Sequence, residues 1–330
     1  MTGELKITRM HCQAGLTLIE LMIAMLLGLL VVLAAGGIFL SNQQASRSTQ
    51  AVGYMQDASL FAFELIAKDV REAGGNACDA GLIPNVLATA AAGATPSGSN
   101  WFLAFDHPLF GFEANAAGSP AHQTGADVLQ LIRMGDDVRT VSVQPAAVGP
   151  SFTYVPASPA IGSAQYVYVC DHAVLGVFNS GSTEISGGAL AVPASGNTCT
   201  YFSRPNAATC GGTGIAYQYD KYAMLGTVQG VRWFTRDTTN GPALFRQVND
   251  GAAEEVLRGV GNLQLSYLTP AGYVLASDLL TATGWQEVRA VRITMDLVEE
   301  GRSGVGAAGA GASQLSRRVE HVVTLRNRVL

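Results

Sequence analysis

The residue that could do chemistry stands out by its isolation. In the stretch "AGLTLIELMIAMLLGLL", Ala14 to Leu30, Glu20 is the one charged side chain. A carboxylate inside a segment apolar enough for a bilayer is costly, and it is by default functional and in need of a cationic partner. After Glu20 the chain offers no Lys or Arg until Arg47. A cut between Gly15 and Leu16 would supply the missing charge, because the new α-amino group of Leu16 would lie four residues from Glu20. Glu20 of the same chain, or better that of a neighbouring chain, could then neutralise it. The chemistry this spacing points to is charge pairing, not bond breaking by the chain itself.

Other combinations that could carry chemistry are incomplete. "GVGAAG" (Gly304, Gly306, Gly309) satisfies a dinucleotide-loop pattern, but a strand follows it and no helix does, so it reads as a hairpin loop. The five histidines (His11, His107, His122, His172, His321) form neither a zinc-protease helix motif nor a Cys/His pair at zinc spacing. Cys170-Asp171-His172 invites a Cys/His hydrolase reading, yet neighbours on a strand point to opposite faces, which favours a disulfide cysteine beside a surface histidine. "RDTTNG" (236–241) and "GDD" (135–137) gather oxygen ligands of the kind calcium takes, and turn chemistry accounts for both more simply. The aromatics Trp101, Phe102, Phe105, Phe110 and Phe112 read as core. The expectation is a chain with no catalytic residues, no metal and no cofactor.

Leu21 to Leu40 contains no charge; twenty such residues in a helix span roughly 30 Å, the thickness of a bilayer core. The run is too long for an ordinary secretory signal and continues into a helical pattern. Lys6 and Arg9 precede it, so the positive-inside tendency leaves the short N-terminus in the cytoplasm and exports the rest. A net charge of -5, without a basic block, argues against direct nucleic-acid binding. Of five cysteines, Cys12 precedes the anchor and Cys78, Cys170, Cys199 and Cys210 follow it. An even number in an oxidising compartment suggests two disulfides, for which three connectivities can be drawn. The short Cys199–Cys210 loop is the easiest to close, which leaves Cys78 with Cys170.

"GLTLIELMIAMLLGLLVVLA", preceded by a short basic leader, resembles the class III signal of type IV prepilins and type II secretion pseudopilins. In that family a membrane-embedded aspartyl peptidase cuts after the Gly and methylates the new N-terminus. The resemblance therefore implies cleavage after Gly15, methylation of Leu16 and an assembly role for Glu20. Leu16 departs from the Phe most often found after the cut. A plain anchor whose Glu20 snorkels to the interface would not account for the Gly-apolar-Thr-Leu-Ile-Glu order. The closing segment "AKDVREAGGNAC" and the late series "LFRQVNDGAAEEVLRGVGNLQLSYL", "VRAVRITMDLV" and "VVTLRNR" are similar to minor pilins of the PilW type. That resemblance implies a minor pilin at or near the tip of a type IV pilus, helping to initiate its assembly. Its partners would be the prepilin peptidase, other minor pilins, the major pilin and a large tip adhesin. It implies residence in the inner membrane with a periplasmic head, then in the pilus at the cell surface, in a system serving motility, adhesion or DNA uptake. The alternatives are a J-type pseudopilin of type II secretion, usually shorter, and a membrane-anchored periplasmic enzyme or binding protein.

The elements that must position these residues follow from periodicity. The fold expected is α+β and pilin-like: a leader (1–15), a transmembrane and assembly helix (16–40), its amphipathic continuation (41–75) and an antiparallel β-rich head (76–330). No proline precedes Pro84, and Val52, Met55, Ser59, Ala62, Phe63, Ile66 and Val70 recur at helical spacing, with Asp57, Glu64, Lys68 and Arg71 mostly elsewhere. Gly74-Gly75 supplies the stop. Gly28, Gly36, Gly37 and Gly53 are places where the helix could bend. Strands are expected at 127–134, 166–170, 215–219, 231–236 and 262–268, and the runs at 288–298 and 318–328 read as a hairpin.

Overall fold

In the computed structural model, residues 17–75, 78, 95–98, 100–104, 107–114, 116–120, 122–143, 151–161, 166–181, 185–193, 196–197, 217–279, 282–298 and 316–326 are described. Helix α1 runs without interruption from Leu18 to Glu72, 55 residues. Its four glycines do not break it: Gly28, Gly36, Gly37 and Gly53 all lie inside the helix, with nothing within 4 Å of where a Cβ would stand. The chain divides into two compact units, one to Gln56 and one from Asp57 onward. Within the first, every residue from Leu18 to Leu40 is exposed. The side chains have no protein against them and are apolar, as a lipid-facing or helix-facing surface requires.

In the second unit the last turns of α1 are amphipathic in the expected phase. Ser59, Ala62, Phe63, Ile66 and Val70 are buried, while Asp57, Glu64, Lys68 and Arg71 face outward. The helix stops where Gly74 adopts φ +66, a left-handed conformation that costs glycine least. The Gly74 N–H then donates to the carbonyl of Ile132 at 2.9 Å, so the helix stop is also a tie to the sheet.

The larger sheet has ten strands. They are β1 (Leu109–Phe112), β2 (Val128–Met134), β3 (Arg139–Val143), β4 (Ser151–Val155), β5 (Tyr166–Cys170), β6 (Leu175–Asn179), β7 (Ala189–Ala191), β8 (Met224–Thr238), β9 (Gly241–Val248) and β10 (Glu254–Arg258). All pairings are antiparallel, and β8 is the hub. Its N-terminal half pairs with β3 and β5, and its C-terminal half pairs with β2 and β9. A single 15-residue strand thus joins two sub-sheets, which explains why the short expected run at 231–236 is only its middle. A second sheet of four antiparallel strands has the order β12 (Gly272–Val274), β11 (Val260–Thr269), β13 (Ala290–Val298) and β14 (Ser316–Thr324). The β13–β14 pair is the expected hairpin, with Ile293 opposite His321 and Met295 opposite Val319.

Asp127 fastens the two sheets together. Its Oδ2 accepts the Leu265 N–H at 2.7 Å, its Oδ1 accepts the Ala114 N–H at 3.0 Å, and its own N–H donates to the Leu263 carbonyl. Burial pushes the Asp127 carboxyl up, and the two backbone N–H groups oppose that only in part. The hydroxyl end of the Tyr267 ring reaches β1 at Gly111, where there is no side chain. A Cβ on Gly111 would stand 1.8 Å from the Tyr267 hydroxyl oxygen.

Of the strand expected at 215–219, residues 215–216 lie outside the described residues and the rest is not paired. Tyr217 to Tyr219 carry no strand pairing and instead make an irregular approach to β8. The apolar alternation that suggested a strand has another cause: the Tyr217 and Tyr219 rings meet edge to face at 5.0 Å, and Tyr219 packs on Phe152. The glycine-rich 304–313 loop and Phe105 lie outside the described residues.

Candidate functional site

Thr17 stands immediately before α1 and acts as its cap. Its hydroxyl oxygen accepts the Glu20 N–H at 3.4 Å, and its carbonyl accepts the Leu21 N–H at 3.2 Å. Thr17 and Glu20 therefore occupy the first and last places of a T-x-x-E helix start, with Glu20 in the first turn. A negative charge there is favoured by the helix dipole, which lowers the cost of carrying it in an apolar segment. Glu20 itself is exposed within the protein, free to meet a cation from another chain. Gly15, Leu16 and the leader charges Lys6 and Arg9 lie outside the described residues.

A disulfide joins Cys78, just past the end of α1, to Cys170 at the end of β5, with the Cα atoms 5.9 Å apart. Cys199 and Cys210 lie outside the described residues. With its sulfur in a disulfide, Cys170 cannot be the nucleophile of a Cys/His pair. The ring closed by this bond spans 92 residues, and loop-closure entropy for such a span is worth roughly 4–5 kcal/mol. Reduction, or replacement of both cysteines by alanine, should lower the denaturation midpoint of the head accordingly. A midpoint unmoved by reductant would contradict this.

Asp171, His172 and Asp220 bring three metal-ligating side chains within 4.8 Å of one another. The Asp171 carboxylate is nevertheless already occupied. It accepts the N–H groups of Ala173, Val174 and Asp220 and the Tyr217 hydroxyl. Burial raises its pKa, but those four donors together hold it below the ordinary carboxylate value. His172 and Asp220 then form an exposed pair at 2.8 Å. The group is a loop staple. The acidic turns considered for calcium resolve in the same way: Asp136 pairs with Lys68 and Arg133, and Asp137 pairs with Arg139. In "RDTTNG" the Thr238 hydroxyl closes the β8–β9 turn by donating to the Gly241 carbonyl.

The most elaborate polar arrangement was not singled out from sequence. Asp69, on the buried face of α1 in the second unit, is 2% exposed. Its Oδ2 accepts the Trp233 indole N–H and the Arg246 Nε–H, both at 2.9 Å, and its Oδ1 accepts from Arg246 Nη2 at 3.1 Å. Arg133 is also ion-paired to Asp69, at 3.4 Å, and binds Glu72, Asp136 and Gln229 as well. Burial alone would lower the Arg133 pKa, but the carboxylates around it raise the value. This network clamps the end of the helix onto β2, β8 and β9. The sequence signal existed in the spacing, since Asp69 lies three residues after buried Ile66 and beside buried Val70.

An apolar helix with one carboxylate in its capped first turn, which continues into a helix clamped on an antiparallel β head, defines the pilin-like α+β layout. Among the described residues it is the one helix long and apolar enough to cross a membrane. Residues 10–36 match the model of the prokaryotic N-terminal methylation motif. That motif marks the chain as a type IV pilin- or pseudopilin-type protein. No curated protein and no solved structure matches the chain.

Proposed function

We propose that this protein is a minor pilin of the PilW type, whose work is structural and not enzymatic. As a precursor it sits in the inner membrane with its head in the periplasm. The prepilin peptidase removes the leader after Gly15 and methylates Leu16. Glu20 then pairs with the N-terminus of an adjacent pilin, and the apolar helix joins a helical bundle.

The observation that carries this reading is the methylation motif over residues 10–36, with Glu20 as the sole carboxylate of the apolar run, set in the first turn of an unbroken helix. A head built of a ten-stranded and a four-stranded sheet supports a place at or near the tip; repeating so bulky a unit along a slender fibre would be sterically demanding. Other minor pilins, the major pilin and a tip adhesin are the partners this reading calls for. A type II secretion pseudopilin would use the same anchor, and the chain length of 330 residues favours the pilus.

The test is mass spectrometry of the N-terminal peptide from membrane fractions, with and without the host's prepilin peptidase. An N-methylated Leu16 that disappears with the peptidase is the expected result. A peptide beginning at Met1 or Thr2 in both samples would sink the proposal and favour a membrane-anchored enzyme or binding protein. Deleting the gene separates the two filament readings, since a minor pilin predicts lost pili and a pseudopilin predicts lost secretion.

A further inference from the structure

The register across the large sheet places Phe110, Gln130, Arg232 and Gln247 in one row over β1, β2, β8 and β9. Over this row lies the turn Trp101–Leu103. Its close approach depends on Gly230, where a Cβ would stand 2.3 Å from Phe102 Cβ and 2.7 Å from the Trp101 ring. The Arg232 guanidinium stacks on the Trp101 ring with its carbon 4.0 Å from the centroid.

Arg232 differs from the other arginines that reach into the head. Arg133, Arg139 and Arg246 each bind a carboxylate directly. Among the described residues Arg232 has only neutral acceptors: Gln130 Oε1 at 2.9 Å from its Nε and the Pro96 carbonyl at 3.5 Å from its Nη2. A guanidinium carries five N–H donors, so most of its donor capacity is unused. Burial pushes its pKa down to about 10, with the Asp250 charge opposing at a distance; it stays cationic at neutral pH. Two neighbours share the same deficit. Gln130, 0% exposed, has no partner for its Nε2, and Trp101, 1% exposed, has none for its indole N–H. Gln130 Nε2 belongs to the same amide whose oxygen holds Arg232, so it lies beside the guanidinium. An uncompensated cation next to buried orphan donors is what a site looks like when its acceptor belongs to another molecule.

We propose that Arg232, Gln130 and Trp101 form a binding site for a single carboxylate. The carboxylate engages the free edge of the guanidinium, which the Gln130 amide oxygen holds in place, and changes the surroundings of the Trp101 indole stacked on it. Arg232 is only partly buried, which gives the ligand a way in from solvent. The carboxylate is either a free organic anion or an acidic side chain of a neighbouring subunit.

The test uses the full chain in detergent micelles with its three tryptophan indoles labelled with ¹⁵N. Sodium acetate is titrated against sodium chloride at equal ionic strength. The expected result is a saturable shift of the Trp101 indole signal in acetate alone, while the Trp233 and Trp285 signals stay in place. Trp101→Phe assigns that signal. Arg232→Gln should weaken the apparent acetate affinity by about tenfold or more, as loss of a charge-assisted hydrogen bond requires. Unmoved Trp233 and Trp285 signals in that variant report an intact fold. If Arg232→Gln does not fold, Gln130→Leu replaces it and should weaken acetate binding while leaving the cation. No Trp101 shift beyond that in chloride, or an equal shift in the substituted chain, overturns the proposal.

A second arm identifies the source, and it alone rests on the assembly reading. Depletion of Arg232→Gln from sheared filaments assigns the carboxylate to a neighbouring subunit, and parental incorporation assigns it to a free anion. The acetate arm stands whichever filament the chain joins.

Discussion

Replacing Glu20 by Gln should leave the chain processed and membrane-anchored but strip it from filaments. The amide keeps the size and the helix start, with Thr17 still capping the Glu20 N–H. What it loses is the only negative charge between residues 16 and 47, the one that would pair with the α-amino group the proposed cleavage creates on Leu16. An uncompensated charge in the apolar zone costs about 2.5–3.5 kcal/mol on insertion scales, which corresponds to roughly a hundredfold in an equilibrium constant. Glu20→Asp keeps the charge on a shorter arm and should restore part of the loss. The measurement is a quantitative immunoblot of sheared filaments against membranes. Parental incorporation of the Gln chain would show that Glu20 is an ordinary interfacial residue.

The second large effect concerns Asp69. Removing its carboxylate by Asp69→Ala leaves Arg246 without its ion-pair partner and Trp233 without an acceptor for its indole N–H. Arg133 keeps Glu72 and Asp136. Breaking a buried charge network by removing one partner costs about 3–5 kcal/mol, because the remaining charges stay desolvated. The exposed Glu64, paired to Arg71 at 3.9 Å, is the control, and its truncation should be nearly neutral. Urea denaturation followed through tryptophan fluorescence would measure both. A loss below about 1 kcal/mol for Asp69→Ala would mean that the helix is held by its apolar face alone.

These two carboxylates differ in how openly the sequence displays them. Glu20 is legible because everything around it is apolar and a bilayer allows a charge few partners. The helix carrying it was legible too, from composition in the first half and from three- and four-residue spacing in the second. Asp69 sits amid Glu64, Lys68, Arg71 and Glu72, where a charge looks like part of a solvated surface. Only its phase against Ile66 and Val70 betrays it, and its partner Arg246 lies 177 residues away. Gln130 and Arg232 are likewise 102 residues apart, and no local pattern distinguishes an arginine that finds a carboxylate from one that does not.

The irregular Tyr217–Tyr219 segment teaches the same point. Alternation of large side chains predicts two faces, but whether a strand forms depends on a neighbouring edge being free to pair. The short Cys199–Cys210 loop left Cys78 with Cys170 as the second expected pair, and the structure forms that bond because the segment after α1 meets the end of β5.

What the sequence determined by itself is whatever rests on interactions a few residues long. These are the capped helix start at Thr17, the lone Glu20, the apolar run, the glycine stop at Gly74, and the two-residue alternation of β11 and β13. The tertiary structure alone decided which polar groups lose their water. The clamp on Asp69 and the unpaired Arg232 exist because separate strands converge on β8, and the staple at Asp127 because β11 of the second sheet meets the start of β2. Desolvation is what turns an ordinary surface charge at those places into a residue that must have a partner.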